Sequence, residues 1–336
     1  KALSNLANKS ICAATIKANA YGVGVIKTFE TLYKNNCRHF FVATTEEALE
    51  IRVRKSLANV YVLNGLENNK LSIFNNNNII PIINNKDEYN LICKNIKKYK
   101  KLKFGIHVDT GLNRLGLSLN ELLNINFNHM KVHILMSHLA SADEGKNNYN
   151  IVQNKKFKES INFKINAKFN SLSNSMGLIL GKNYHYDLVR PGISLYGGHF
   201  NTKMRKIIKP VISLKGKVLQ IKEISKNEFI GYNQTFRTNK KIKVAILGIG
   251  YADGISRILS NKGNVYFKNQ TFNIVGRVSM DTIIIDITKN NKPIKIGTYM
   301  ELINYKNGID KIAKQSNTIC DEILTSISER VKRVYI

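Results

Sequence analysis

The chain has 336 residues, of which 43% are hydrophobic, and its formal net charge is +29. That length suits one barrel joined to a smaller domain, and the apolar content excludes wholesale disorder. No run of about 18 apolar residues occurs, so no membrane-spanning helix and no membrane partner are expected.

The opening residues, KALSNLANKS, carry no apolar signal core. They lie close to the first predicted strand, so a short N-terminal piece is expected to precede them. The four cysteines, Cys12, Cys37, Cys93 and Cys320, stand at no zinc-like spacing from one another. They read as reduced thiols of a cytosolic, cytoplasmic protein with no metal site. The lysines are spread along the chain without an RNA-binding aromatic motif or a helix-turn-helix pattern. They read as a solvated surface that attracts small anions, and no nucleic-acid partner is expected.

In chain order, β-branched runs predict eight strands: 11–17, 39–44 (HFFVAT), 59–64 (NVYVLN), 79–83, 103–109 (KFGIHVD), 131–138 (KVHILMSH), 167–172 and 192–196 (GISLY). Helical patterns separate most of them, as in KDEYNLICKNIKKYKK at 86–101; the link between the last two is the least regular. NNNNII at 75–80 reads as an Asn-biased loop. Eight β/α units predict a TIM-type (β/α)8 barrel over residues 1–205. An open doubly wound sheet is the runner-up, weakened because no GxGxxG follows the first strand. Near Lys209 the pattern changes. VISLKGKVLQIKEI alternates with period two, and KVAILGIG, NVYF, FNIVGRV and TIIIDIT follow. Helical patterns are nearly absent until 309–316, so residues 206–336 read as a smaller β-rich domain.

Functional groups of such barrels lie at the C-terminal ends of the strands. Those ends supply Lys17 after the first strand, Asp109 and Arg114 after the fifth, and His138 at the end of the sixth. Asn174 and Ser175 follow the seventh, and Arg190, Gly192 and Ile193 stand around the predicted eighth. Glycine and serine after the last two strands match the usual phosphate site of barrels, where backbone N–H groups cradle the anion. A lysine facing the same mouth is able to form an imine, and the pair points to pyridoxal phosphate. Spacing alone leaves plainer readings open: a solvated charge for Lys17, a structural ring for His138, a packing aromatic for Tyr251 and a core side chain for Met280.

The segment IKANAYGVG, with Lys17 and Tyr21, resembles the cofactor signature of alanine racemases. The resemblance continues through HVDTGLNRLGL (107–117), MSHLASADE (136–144), NSMG (174–177), DLVRPGISLYGG (187–198), GIGYADG (248–254), VGRVSMD (275–281) and the terminal LTSISERVKRVYI. It implies a pyridoxal-phosphate-dependent isomerase that interconverts L- and D-alanine by a two-base mechanism, supplies D-alanine for peptidoglycan, and works as a homodimer with shared sites. Carried over, it implies that Lys17 holds the cofactor as an imine and serves D-alanine, while Tyr251 of a second subunit is the opposing base and serves L-alanine. Arg190 would bond the pyridine nitrogen, with His138 behind it. Tyr21, Ser175, Gly192 and Ile193 would bind the phosphate. Arg114 and the backbone N–H of Met280 would receive the substrate carboxylate.

Two positions depart from the family pattern. His107 stands where many relatives carry a lysine that becomes carbamylated and orients the arginine equivalent to Arg114. A chloride ion, a nearby carboxylate or His107 itself are the candidates for that task here. Glu329 stands where some members place a phosphate-binding tyrosine. Three other readings compete with a racemase. They are an amino-acid decarboxylase of similar architecture, which GIGYADG argues against; a non-catalytic pyridoxal-phosphate carrier, which should lack the β-rich half; and a basic nucleic-acid-binding protein.

Overall fold

The computed structural model describes residues 1–54, 56–127, 130–163, 165–199 and 202–336. They divide into two compact units, Lys1–Leu195 with Phe200–Ile208, and Tyr196–His199 with Lys209–Ile336.

The first unit is a parallel barrel. Its strands are β1 (Ile11–Cys12), β2 (Ala14–Thr15), β3 (His39–Val42), β4 (Asn59–Val62), β5 (Ile79–Ile83), β6 (Phe104–His107), β7 (Val132–Met136), β8 (Ala167–Ser171) and β9 (Leu188–Val189). Strands β2 to β8 form one sheet in sequential order. Strands β1 and β2 are one strand broken at Ala13, because β1 pairs with β9 while β2 pairs with β3. Asp187 N–H donates to Asn170 O at 3.1 Å, and Arg190 N–H to Ser173 O at 2.9 Å, which ties β9 to the β8 side and closes the ring. The central strands are buried on both faces, as parallel strands under helices are; all five residues of β5, IIPII, are buried. Phe41, Tyr61, Ile80, Ile82, Ile134, Met136 and Leu188 fill the barrel with Ala13.

Two expectations are corrected here. Residues 192–196 are not the eighth strand: Ile193–Tyr196 is a single 3-10 turn, and the strand is Leu188–Val189. Pro191 has no N–H to continue a ladder, and Ser175 Oγ takes the N–H groups of Gly192 (2.9 Å) and Ser194 (3.3 Å) away from any strand partner. Arg190 therefore follows the last strand, at the barrel's C-terminal end, rather than preceding it. The asparagine run is not a loop either. Leu71–Asn77 is helical, and Asn78 ends it in the left-handed conformation that asparagine tolerates as a C-cap.

The second unit is an antiparallel barrel. Its strands are β10 (Leu214–Ile224), β11 (Phe229–Ile230), β12 (Phe236–Arg237), β13 (Ile242–Gly248), β14 (Asn264–Phe267), β15 (Gln270–Asn273), β16 (Ile283–Asp286) and β17 (Tyr299–Ile303). Six of them run in the order β15-β14-β17-β10-β13-β16, with β11 and β12 as a separate hairpin. A bridge between Ile274 and Ile285 brings the two edges together, which removes both exposed edges. Among the described residues, no helix is long and apolar enough to cross a membrane.

Candidate functional site

The mouth of the parallel barrel is built from the residues that follow each strand. Lys17 opens a turn, Lys17–Tyr21, whose last residue is the buried Tyr21. Tyr21 stands over Gly192: a Cβ placed on that glycine would lie 2.2 Å from the Tyr21 hydroxyl oxygen. Ser175 Oγ sits against the same backbone through its two N–H contacts, and Ile193 is buried beside it. A hydroxyl from each of two loops and a glycine stripped of its side chain thus meet at one point. The donor set and the space kept open by Gly192 fit a phosphate group.

Arg190 is buried, and its contacts are with neutral acceptors. Nη1 donates to Ser171 Oγ, and Nη2 donates to Ser137 O and, at 3.4 Å, to Leu172 O. The guanidinium lies 5.8 Å from the centre of the Phe41 ring. Burial pulls its pKa down to about 9. Ser171 Oγ in turn donates to Leu188 O at 2.5 Å, so one serine fixes both β9 and the arginine.

His138 faces Asn174, with 3.5 Å between Nε2 and the Asn174 amide nitrogen. Its backbone carbonyl accepts from the fully buried Gln153, which also donates to Thr110 Oγ1 and accepts from Ala140 N–H. Burial holds His138 well below the usual histidine range, aided by the charges of Arg190, Arg114 and Lys17. His107 is lowered to about 4, first by burial and then by Arg190 and Arg114, with Asp109 opposing them. Both rings are neutral near pH 7. The tautomer of His107 follows from its partner. Asn84 Nδ2 donates to the Leu63 and Ile82 carbonyls at 2.9 and 3.0 Å, so its Oδ1 faces His107 Nδ1 at 2.9 Å. An oxygen there only accepts, so Nδ1 carries the proton and Nε2 keeps its lone pair.

Arg114 is exposed at the far side of a loop that leaves and rejoins the sheet between Val108 and Leu117. Asp109 Oδ1 ties that loop down by accepting from Gly111 and Asn113 N–H at 2.8 and 3.1 Å. Together these residues make the mouth rich in positive charge, which favours anionic ligands.

Tyr251 and Met280 belong to the second unit, where they are neighbours. Tyr251 N–H donates to Ser279 O and Ala252 N–H to Met280 O, both at 3.0 Å. They line one open hollow with Tyr232, Asn233 and Arg257, and they are 44% and 52% exposed. Asp253 is the buried carboxylate of the Tyr251 turn. It accepts Gly250 N–H at 2.7 Å and pairs with Arg330 at 2.7 and 3.0 Å, which secures the Tyr251 turn. Arg330 also reaches Asp281 beside Met280, at 2.8 Å. Glu329 is exposed in the same unit.

With the geometry in place, the comparisons with known proteins are specific. The model of the alanine racemase N-terminal domain matches residues 1–199, and that of the C-terminal domain matches residues 211–335. The chain belongs to the alanine racemase family. Among its relatives, the alanine racemase of Rickettsia akari is 38% identical, with 99% of this chain and 94% of that protein covered. That of Brucella suis is 36% identical, covering 96% and 87%. A crystal structure of the Bartonella henselae alanine racemase with covalently bound pyridoxal phosphate superimposes with a TM-score of 0.94 at 37% identity, covering 99% of this chain and 95% of that one. The alanine racemase architecture of a barrel followed by a β-rich domain is thus the one read from the sequence.

Four supporting residues had no marker in the sequence reading: Asn84, Gln153 and Ser171 in the first unit and Arg330 in the second. Each acts by a hydrogen bond or ion pair to a residue at least 15 positions away. Neither periodicity nor motif spacing reports such contacts. Arg330 does lie within the quoted terminal motif.

Proposed function

We propose that this chain interconverts L- and D-alanine with pyridoxal phosphate as its cofactor, in the cytoplasm, and that the D-alanine serves peptidoglycan synthesis. The observation that carries the reading is the convergence, at one barrel mouth, of the Tyr21–Ser175–Gly192 cradle with buried Arg190 and the lysine that begins the Tyr21 turn. Bound there, the cofactor supplies an electron sink for the pair left on Cα when its proton departs. Lys17 is the residue that attaches it. Tyr21, Ser175, Gly192 and Ile193 hold its phosphate.

Arg190 would face the cofactor's ring nitrogen. A guanidinium does not readily surrender a proton, so it would leave that nitrogen unprotonated and the sink weaker. Neutral His138 follows Ser137, whose carbonyl accepts from Arg190, and adds no second charge there. Arg114 and the Met280 N–H receive the substrate carboxylate.

Racemisation requires one base on each face of Cα. Lys17 serves one face, and Tyr251 of a second subunit serves the other. The exposure of Tyr251 and Met280 supports this assignment, because a base and a carboxylate donor left open on one chain are completed by another. The working form is a homodimer with shared sites. Incubation with pure L-alanine, followed by chiral analysis, tests the reading. Conversion to an equal mixture of enantiomers is expected. Loss of carbon dioxide, or unchanged L-alanine in the presence of pyridoxal phosphate, would contradict it.

A further inference from the structure

Lys17 is followed by a backbone run unusual for residues that are not glycine. Ala18, Asn19, Ala20 and Tyr21 have φ of 52°, 52°, 53° and 54°. In this region Cβ crowds the following carbonyl, and L-residues enter it singly rather than in series. A sustained left-handed run therefore needs an outside restraint. Part of the restraint is local: Asn19 Oδ1 accepts Val25 N–H at 2.8 Å. The long-range part comes from Glu47, in the helix Thr45–Arg52. Its Oε1 accepts Ala18 N–H at 2.6 Å, and its Oε2 accepts Ala43 N–H at 2.7 Å, just past β3. One carboxylate thus joins the first residue of the left-handed run to the C-terminal end of a barrel strand.

The two side chains with assigned work stand at the ends of this run, Lys17 immediately before it and Tyr21 as its last member. The shape of the turn sets their separation. We propose that Glu47 is a positioning residue that fastens the left-handed Ala18–Tyr21 turn to the barrel and so sets the spacing between Lys17 and the phosphate-binding hydroxyl of Tyr21. This rests on the reading of Lys17 and Tyr21 as cofactor ligands. The competing role is local: Glu47 also completes a capping box with Thr44 at its own helix N-terminus.

Substitutions separate the two roles. Glu47→Ala removes both acceptors. Ala18→Gly lowers the cost of the left-handed backbone without touching the helix cap, since glycine has no Cβ to crowd, and Ala18 is exposed, so little packing is lost. Cofactor dissociation constant, the pH midpoint of the lysine-bound cofactor absorbance, kcat and KM are measured on the reconstituted enzyme. For Glu47→Ala, cofactor affinity and kcat should each fall on the order of tenfold to a hundredfold, as expected for a misplaced reacting group, and the absorbance midpoint should move. KM for alanine should stay within about threefold, because Arg114 and Met280 are untouched. Adding Ala18→Gly should recover several-fold of both losses. If Glu47→Ala does not fold, Glu47→Gln, isosteric and with one acceptor oxygen, should show the same pattern at smaller size. A lowered melting temperature with unchanged affinity and absorbance, or no recovery with Ala18→Gly, overturns the proposal in favour of a cap alone. Borohydride reduction of the unaltered enzyme keeps the two readings apart. A label on a lysine other than Lys17 defeats the cofactor assignment, whereas a label on Lys17 with unperturbed Glu47 variants defeats only the role of Glu47.

Discussion

Two bases on opposite faces of one carbon leave a signature that a single mobile base does not. Tyr251→Phe removes the phenolic proton acceptor and keeps nearly the whole ring, so the Asp253–Arg330 support of the turn should survive. Loss of one positioned acid–base group typically costs about 10²–10⁴-fold in rate, and both net directions should slow together because each needs the other base to return the proton. Exchange of the α-proton with deuterated solvent should split them. Exchange without inversion should persist for D-alanine, through Lys17, and be largely lost for L-alanine. Equal residual exchange from both enantiomers, followed by NMR, would point to one base or to water. At the same scale, the departure at His107 has a physical form. A buried neutral imidazole, its tautomer fixed by Asn84, puts a lone pair where two arginine charges are felt.

At the scale of elements, the cradle depends on the close approach of the Lys17–Tyr21 turn to the residue that follows Pro191. Gly192→Ala would set a methyl carbon 2.2 Å from the Tyr21 hydroxyl oxygen, so the turn or the Ile193–Tyr196 segment must shift. Cofactor affinity should fall at least about tenfold, equivalent to about 1.4 kcal/mol, as overpacking of a tight contact typically costs 1–3 kcal/mol. Equilibrium titration with pyridoxal phosphate checks this, and unchanged affinity would place the phosphate elsewhere. The same region shows how far a sequence is legible. Lys17 and Ser175 were visible because they fell at or after predicted strand ends, Arg190 and Gly192 because they stood at the start of the predicted eighth strand, and the resemblance to the family implied roles for all four. The eighth strand was misplaced because ISLY has β-branched and aromatic letters. What decides its shape is Pro191 and a serine 17 positions upstream that captures the Gly192 amide. The left-handed turn was invisible for the same reason. Its restraint lies 29 residues away on Glu47, and no local propensity favours left-handed alanines.

At the scale of the whole chain, three buried imidazoles besides His138 bear on stability. His39 Nδ1 lies 2.8 Å from the Tyr61 hydroxyl and His133 Nδ1 lies 3.2 Å from it, while His107 is held by Asn84. Burial lowers each to about 4 from about 6.5, with Lys168 acting on both His39 and His133 and Lys103 on His133. The unfolded chain therefore takes up protons first as pH falls. Their contribution is complete above about pH 6.5 and is lost progressively down to about pH 4, at most about 3 kcal/mol per imidazole. Denaturant unfolding between pH 7.5 and 4 should show a midpoint that declines through that window, and His133→Phe should flatten the decline. A flat profile would mean that the histidines are protonated in the folded chain.

In the proposed homodimer, Lys17 of one chain and Tyr251 of another form one site. Lys17→Ala and Tyr251→Phe each disable every site in their own homodimer. A hybrid dimer holds one site with both substitutions and one with neither. Mixing the two inactive proteins under conditions of proven subunit exchange should restore racemisation, approaching a quarter of the activity of the unaltered enzyme at equal ratio, because about half the dimers are hybrids with one intact site of two. Exchange without any return of activity would contradict the account.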